Sequence, residues 1–146
     1  MPREFKTVLC PIDFSDASYH ALDYGLHFAR AASGTIIVAH IIHVPSGDLY
    51  GETRVLHYAE AKERVEKRMA EVVSTRLQGY PKCVTRIDVG DPAEHVNKIA
   101  KESRVDLIIC ATHGRSGFAH LVMGSVAEKI IRHAPCPVLV VRAGVD

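Results

Sequence analysis

Five short runs of apolar, largely β-branched residues recur along the chain at Thr7–Ile12, Thr35–His43, Val84–Val89, Val105–Cys110 and Val138–Arg142, each separated from the next by a longer segment of helical period. That alternation leaves βαβ units as the economical solution, with successive strands running parallel. Val8-Leu9-Cys10, Ile36-Ile37-Val38-Ala39 and Leu107-Ile108-Ile109-Cys110 are continuously apolar instead of alternating. A strand of that kind is covered by helices on both faces of its sheet. At 146 residues the chain suits one domain spanning 1–146, and a chain of this size buries roughly 70% of its unfolded surface without staples. The 47% apolar and 24% charged content is that of an ordinary globular protein, which excludes a disordered, collagenous or disulfide-dense chain.

The intervening segments carry their own start and stop signals. Ser15 or Asp16 caps a first helix whose apolar positions Ala17, Ala21, Leu22, Tyr24, Gly25, Phe28 and Ala29 recur at helical spacing, and Gly34 is expected to end it. A second helix, from about Val55 to Gln78, sets Val65, Met69, Val73 and Leu77 four apart on a core-facing stripe. Its other faces carry the pairs Glu60/Arg64 and Glu63/Lys67. Gly90-Asp91-Pro92-Ala93-Glu94 supplies an N-cap, a first-turn proline and a capping-box glutamate for a third. The fourth runs from about Gly124 to His133, stopped by Pro135 and Pro137. Val44 to Arg54 reads as a surface crossover loop.

Eighteen Lys and Arg balance seventeen Asp and Glu, so the composition holds no general attraction for nucleic acid or an anionic membrane, and any anion must be held locally. No apolar stretch approaches the ~18 residues of a membrane span, and Met1-Pro2-Arg3-Glu4-Phe5-Lys6 lacks a signal peptide's apolar core, so a cytoplasmic protein is expected. Cys10, Cys83, Cys110 and Cys136 are scattered without a Cys-x-x-Cys pair and read as buried, reduced thiols.

In open α/β sheets ligands lie beyond the carboxyl ends of the strands. Two strand ends here carry unusual residues: Pro11-Ile12-Asp13-Phe14-Ser15 after the first, and Cys110-Ala111-Thr112-His113-Gly114-Arg115-Ser116-Gly117 after the fourth. The glycine-rich stretch runs on to Gly124-Ser125-Val126, where a helix begins. Small residues leading to a helix N-terminus offer backbone N–H groups and a positive dipole end, the arrangement that accepts phosphate. Turn and cap chemistry alone accounts for the same residues; Asp13, at a strand end, is read as a ligand contact, and the alternative for it is a cap for the helix that follows.

These blocks, together with Ala39-His40-Ile41-Ile42-His43-Val44, Val105-Asp106-Leu107-Ile108-Ile109 and Ala134-Pro135-Cys136-Pro137-Val138, resemble the universal stress protein family over essentially the whole chain. The nucleotide-binding branch of that family carries G-x-x-G, nine residues, then G-S or G-T. Here Gly114, the nine residues Arg115 to Met123 and Gly124-Ser125 match it, while Ala111 stands in place of the first glycine. The resemblance implies an α/β fold: an open five-stranded parallel sheet of order 3-2-1-4-5 with two helices on each face. It further implies ATP, with or without Mg²⁺, at the point where strand order reverses, and a homodimer through residues 137–142. By position Pro11, Ile12 and Asp13 border the adenosine, Ile41 lies against the adenine, and Cys110 and Ala111 sit by the ribose. The backbone of Gly114, Gly124, Ser125 and Val126 holds the phosphates, with Arg115 nearby.

Other chemistries fit less well. His40 and His43, three apart, alternate faces on a strand, and no spacing among the nine histidines matches a metal-ligand set. A phosphoacceptor receiver domain needs clustered acids after its first strand, where Asp13 stands alone. Gly114-Arg115-Ser116-Gly117 does not supply the nucleophile elbow of a serine hydrolase. With no Walker-type lysine and no metal-holding acid in context, the reading is a nucleotide-responsive binding protein, at most a very slow ATPase. The alternative is a stress protein that binds no nucleotide and acts through its dimer or partner surface.

Overall fold

The computed structural model describes residues 4–44, 52–113 and 123–142, the first helical residues 52–56 as backbone only. Strand and helix alternate throughout: β1 (Thr7–Pro11), α1 (Asp16–Ala31), β2 (Thr35–His43), α2 (Glu52–Arg76), β3 (Cys83–Gly90), α3 (Pro92–Glu102), β4 (Leu107–Ala111), α4 (Ser125–His133) and β5 (Val138–Val141). All the strand pairings are parallel, in the order β3-β2-β1-β4-β5. The sequence expectation for the sheet and its order is met.

The apolar strand runs divide by parity between two cores, because successive side chains leave a strand on opposite faces. Val8, Cys10, Ile36, Val38, Leu107 and Ile109 pack with Ala21, Leu22 and Leu26 of α1, with Met69 and Val72 of α2 and with Leu77 just past its end. Leu9, Ile37, Ala39, Ile41 and Ile108 pack with Val96 and Ile99 of α3 and Ile130 of α4. Two helices therefore cover each face. Val8, Leu9, Ile36 and Ile108 are fully buried, and complete burial of such side chains contributes about 1.5–3 kcal/mol each.

The α2 stripe is shifted slightly from its expected positions: Met69 is buried as read, Val72 joins it, Val65 and Val73 are partly exposed, and the helix ends at Arg76, so that Leu77 is buried just beyond it. Of its two expected ion pairs, Lys67 lies 3.8 Å from Glu63. The end of α1 departs from expectation. Its left-handed residue is Ser33 (φ 48), not Gly34; a Cβ on Gly34 would lie 2.1 Å from the Lys6 carbonyl oxygen. Gly34 is thus needed for close approach to the chain entering β1, not for its own φ. Most of the expected crossover loop, residues 45–51, lies outside the described residues, and helix begins at Glu52. No helix among the described residues is long and apolar enough to cross a membrane.

Candidate functional site

β1 leads on to β2 on one side and β4 to β5 on the other, so the chain leaves these neighbouring strands in opposite directions and opens a crevice beyond their ends. A cavity of about 620 Å³ occupies it, within the ~300–1,000 Å³ range of small-molecule sites. Nine expected residues border it: Pro11, Ile12, Asp13, Ile41, Cys110, Ala111, Gly124, Ser125 and Val126. Gly114 and Arg115 lie outside the described residues.

The β1 side is held by side-chain hydrogen bonds. Ser15, the N-cap of α1, accepts from the Ser18 N–H at 3.2 Å. The Asp13 carboxylate accepts from the Ser15 N–H at 3.0 Å and also from the Ser15 hydroxyl. The Ser18 hydroxyl donates to the Ser15 carbonyl at 2.9 Å and accepts from the Asp13 N–H at 3.3 Å. Asp13 therefore braces the cap without being the cap. Between them Phe14 adopts φ 64, a left-handed conformation that is uncommon and strained for a bulky side chain.

The β4 side is built from backbone and small residues. The Gly124 N–H donates to the Thr112 carbonyl at 2.7 Å, and the Thr112 N–H to the Val141 carbonyl at 3.0 Å. Gly124 is the N-cap of α4 with φ −63, so its value is not conformational freedom, and it provides no side-chain cap. A Cβ there would lie 3.2 Å from the Thr112 oxygen. The glycine lets the first turn of α4 sit directly on the end of β4. Cys110 lies at the cavity, its thiol pushed up to about 11 by burial; burial raises Cys10 further. Both are protonated at neutral pH, which suits inert packing thiols.

The apolar floor comes from β2 and α3. In β2 the odd residues turn their main chain toward β1: Thr35 N–H donates to the Lys6 carbonyl at 2.7 Å, and the Ala39 carbonyl accepts from Ile12 N–H at 2.8 Å. The even residues turn to β3, as Ile36 N–H does toward Lys82. β1 pairs no further than Pro11 with Ala39, whereas β2 continues to His43. By the ladder's alternation the N–H and C=O of Ile41 are directed to the cavity side.

Several bordering residues were not singled out as binding groups from sequence: His40, His43, Pro92, Val96, Thr112, His113 and Lys129. Lys129 was legible, since it follows Ser125 by one turn on the same helix face. His40 and His43 alternate along β2, yet both border the cavity because it wraps the strand's end. No group of His, Cys, Asp and Glu among the described residues could hold a metal ion. Asp91 is engaged as the α3 cap, accepting from Glu94 N–H at 3.0 Å.

Known proteins share this fold. Residues 4–142 match the Universal stress protein family. A universal stress protein of Thermus aquaticus is 34% identical over 139 residues, covering 94% of this chain and 99% of its own. Among solved structures, the Lactobacillus plantarum universal stress protein UspA superposes with a TM-score of 0.77 at 24% identity, covering 96% of this chain and 99% of that one. One from Archaeoglobus fulgidus, in complex with dAMP, has a TM-score of 0.64 at 22% identity, covering 96% and 98%.

Proposed function

The chain belongs to the universal stress protein family, and from that premise we propose that it binds ATP or a related adenine nucleotide in the crevice between β1 and β4 and acts as a nucleotide-responsive stress module. The observation that carries this reading is the division of one cavity into an apolar floor and two polar rims. Ile41, Pro92, Ala93 and Val96 offer an apolar surface to a base. The main-chain donor and acceptor of Ile41 suit the edge of adenine, which presents an acceptor nitrogen beside an amino group. Asp13 suits a ribose hydroxyl. The first-turn N–H groups of α4, which Gly124 cannot cap with a side chain, suit phosphate. Lys129 adds positive charge on the same helix face. Mg²⁺ would travel on the nucleotide phosphates. The dAMP complex of the Archaeoglobus fulgidus relative is consistent with an adenine ligand.

Calorimetry with ATP, ADP and AMP, with and without Mg²⁺, tests the reading. We expect ATP to bind at micromolar to millimolar concentration; no heat from any of the three at millimolar nucleotide overturns it. Turnover is expected to lie far below the roughly 1–100 per second of kinases, because the sequence carries no Walker-type lysine and no metal-holding acid in context. A purified ATPase rate in that range, lost in Gly124→Val, would make the protein an enzyme.

We also propose a homodimer through β5. This strand lies at the edge of the sheet, and Val138, Leu139 and Val140 are only partly covered. An apolar edge invites pairing with another chain, and a two-fold pairing of β5 with its copy closes on itself. Light scattering should give twice the 16.0 kDa chain mass, and Val140→Lys should halve it. The second reading, action through this surface without nucleotide, is favoured by Ala111, whose methyl stands where the nucleotide-binding branch has glycine.

A further inference from the structure

The ring of Phe14 meets two groups from elements remote in sequence. The Arg68 guanidinium of α2 lies over it, 4.2 Å from the ring centre. The His40 imidazole of β2 lies 4.6 Å away, tilted by 39°. His40 also reaches the main chain of the same loop, with Nδ1 2.7 Å from the Ile12 carbonyl oxygen. A carbonyl only accepts, so Nδ1 carries the hydrogen and donates it. Ile12 and Asp13 both border the cavity, as do His40 itself and Val65, one turn before Arg68 on α2. The strained φ of Phe14 sets the direction in which Asp13 and Ser15 leave it, and a strained residue persists only where its surroundings over-determine it.

We propose that His40 and Arg68 are positioning residues of the nucleotide site: together they hold Phe14 left-handed and the Ile12 carbonyl fixed, so that the Asp13 carboxylate is aimed before ligand arrives. The inference rests on the adenine-nucleotide reading of the cavity. Neither residue is asked to touch the ligand. His40 supplies two separable restraints, a ring against Phe14 and a donor to Ile12, and Arg68 supplies a cation over an aromatic face. The clamp ties α2 and β2 to the β1–α1 junction, so a shift of α2 reaches the ribose side of the crevice through one aromatic ring.

The restraints are separated by substitution. His40→Asn places an amide N–H near the position of Nδ1 and keeps the donor while removing the ring. His40→Phe keeps a ring and removes the donor. In the full-length protein, calorimetric ATP affinity should fall about tenfold in His40→Phe, the size of one lost hydrogen bond, and be restored to within about threefold in His40→Asn. Arg68→Ala should weaken ATP roughly threefold and Arg68→Lys less, as for a partly exposed cation over an aromatic ring. Amide hydrogen exchange at Ser15, whose N–H bonds to Asp13, is followed in the same proteins without nucleotide. It should quicken in His40→Phe and Arg68→Ala and recover in His40→Asn, which a general loss of stability would not do. Unchanged ATP affinity and unchanged Ser15 exchange in both disruptive variants overturn the clamp while leaving the nucleotide reading intact. A wild type that binds no adenine nucleotide overturns that reading and the role assigned here. Ser15 exchange that responds in such a protein would then mark the clamp as a support of the fold alone.

Discussion

The β1–α1 and β4–α4 junctions do the same topological job at adjacent strand ends, yet they finish it differently. At the first, Ser15 caps α1 with its own hydroxyl and Asp13 braces the cap. At the second, Gly124 begins α4 with no side-chain cap. The α3 start resembles the first, since Asp91 caps it. A chain satisfies the orphan N–H groups of a helix wherever nothing else does. Where it places a glycine instead, the backbone comes close and the dipole end stays open to an anion. On the proposed nucleotide reading, the self-capped junction serves the side of the crevice that needs a fixed carboxylate, and the glycine junction the side that needs donors.

The sharpest way to break this contrast is Gly124→Val. The backbone at 124 suits a branched residue, so the chain should still fold. The added Cβ, 3.2 Å from the Thr112 oxygen before any methyl is counted, would wedge the first turn of α4 off the end of β4. ATP affinity should fall about 100-fold or more, some 2.7 kcal/mol, while the protein stays folded with a melting temperature only a few degrees lower. Retained affinity would remove α4 from the site. Asp13→Ala attacks the other junction. It removes one ligand-side carboxylate and the brace of the cap, so ATP should weaken about tenfold and stability should fall by about 1 kcal/mol. Ser15→Ala separates those two effects. Loss of the cap should cost about 1 kcal/mol in thermal or denaturant unfolding, while ATP affinity changes little. Should Ser15→Ala weaken ATP as much as Asp13→Ala does, the Asp13 carboxylate acts only through the cap.

The two junctions also differ in how far the sequence disclosed them. The strands were plain because continuous Val, Ile and Leu runs have few other uses in a chain of this composition. The α3 start was plain because Asp91-Pro92 states both cap and first turn. At the β1 end, Asp13 and Ser15 were visible as residue types, but nothing in the sequence marked Phe14 as left-handed. Glycine or asparagine usually announces that conformation, and here tertiary contacts to Arg68 and His40 accompany it instead. Ser33, Gln78 and Arg104 have positive φ without glycine as well, so helix ends read from glycine alone misplace the turn, as Gly34 showed. At the β4 end, Gly124 and Ser125 were legible from spacing, whereas the reason for the glycine, the nearby Thr112 carbonyl, exists only once β4 and α4 are packed. His40 escaped notice as a support because the Ile12 carbonyl and the Phe14 ring it meets lie in the β1–α1 loop, the first 28 residues away in sequence.

The smallest expected effect sharpens the contrast at its weakest point, Ala111. It ends β4, borders the cavity and also packs against the core on the α1 and α2 side. Its methyl is therefore shared between fold and crevice. If the methyl crowds a ribose, the crevice side is open and the sugar can shift, so the cost stays at the low end of the ~1–3 kcal/mol of overpacking. Ala111→Gly should then tighten ATP, ADP and AMP alike by a fewfold, less than the 1.4 kcal/mol of a tenfold change, because the change is felt at the sugar and not at the terminal phosphates. The same variant gives up strand packing and gains unfolded-chain entropy, so stability should drop by roughly 0.5–1 kcal/mol, or about 1–4 °C in melting temperature. Affinity and stability moving in opposite directions is the signature of the shared methyl. A drop in stability with all three affinities unchanged assigns it to the core alone. A glycine variant that binds where the wild type does not makes Ala111 the residue that closes the site, and the function passes to the β5 surface.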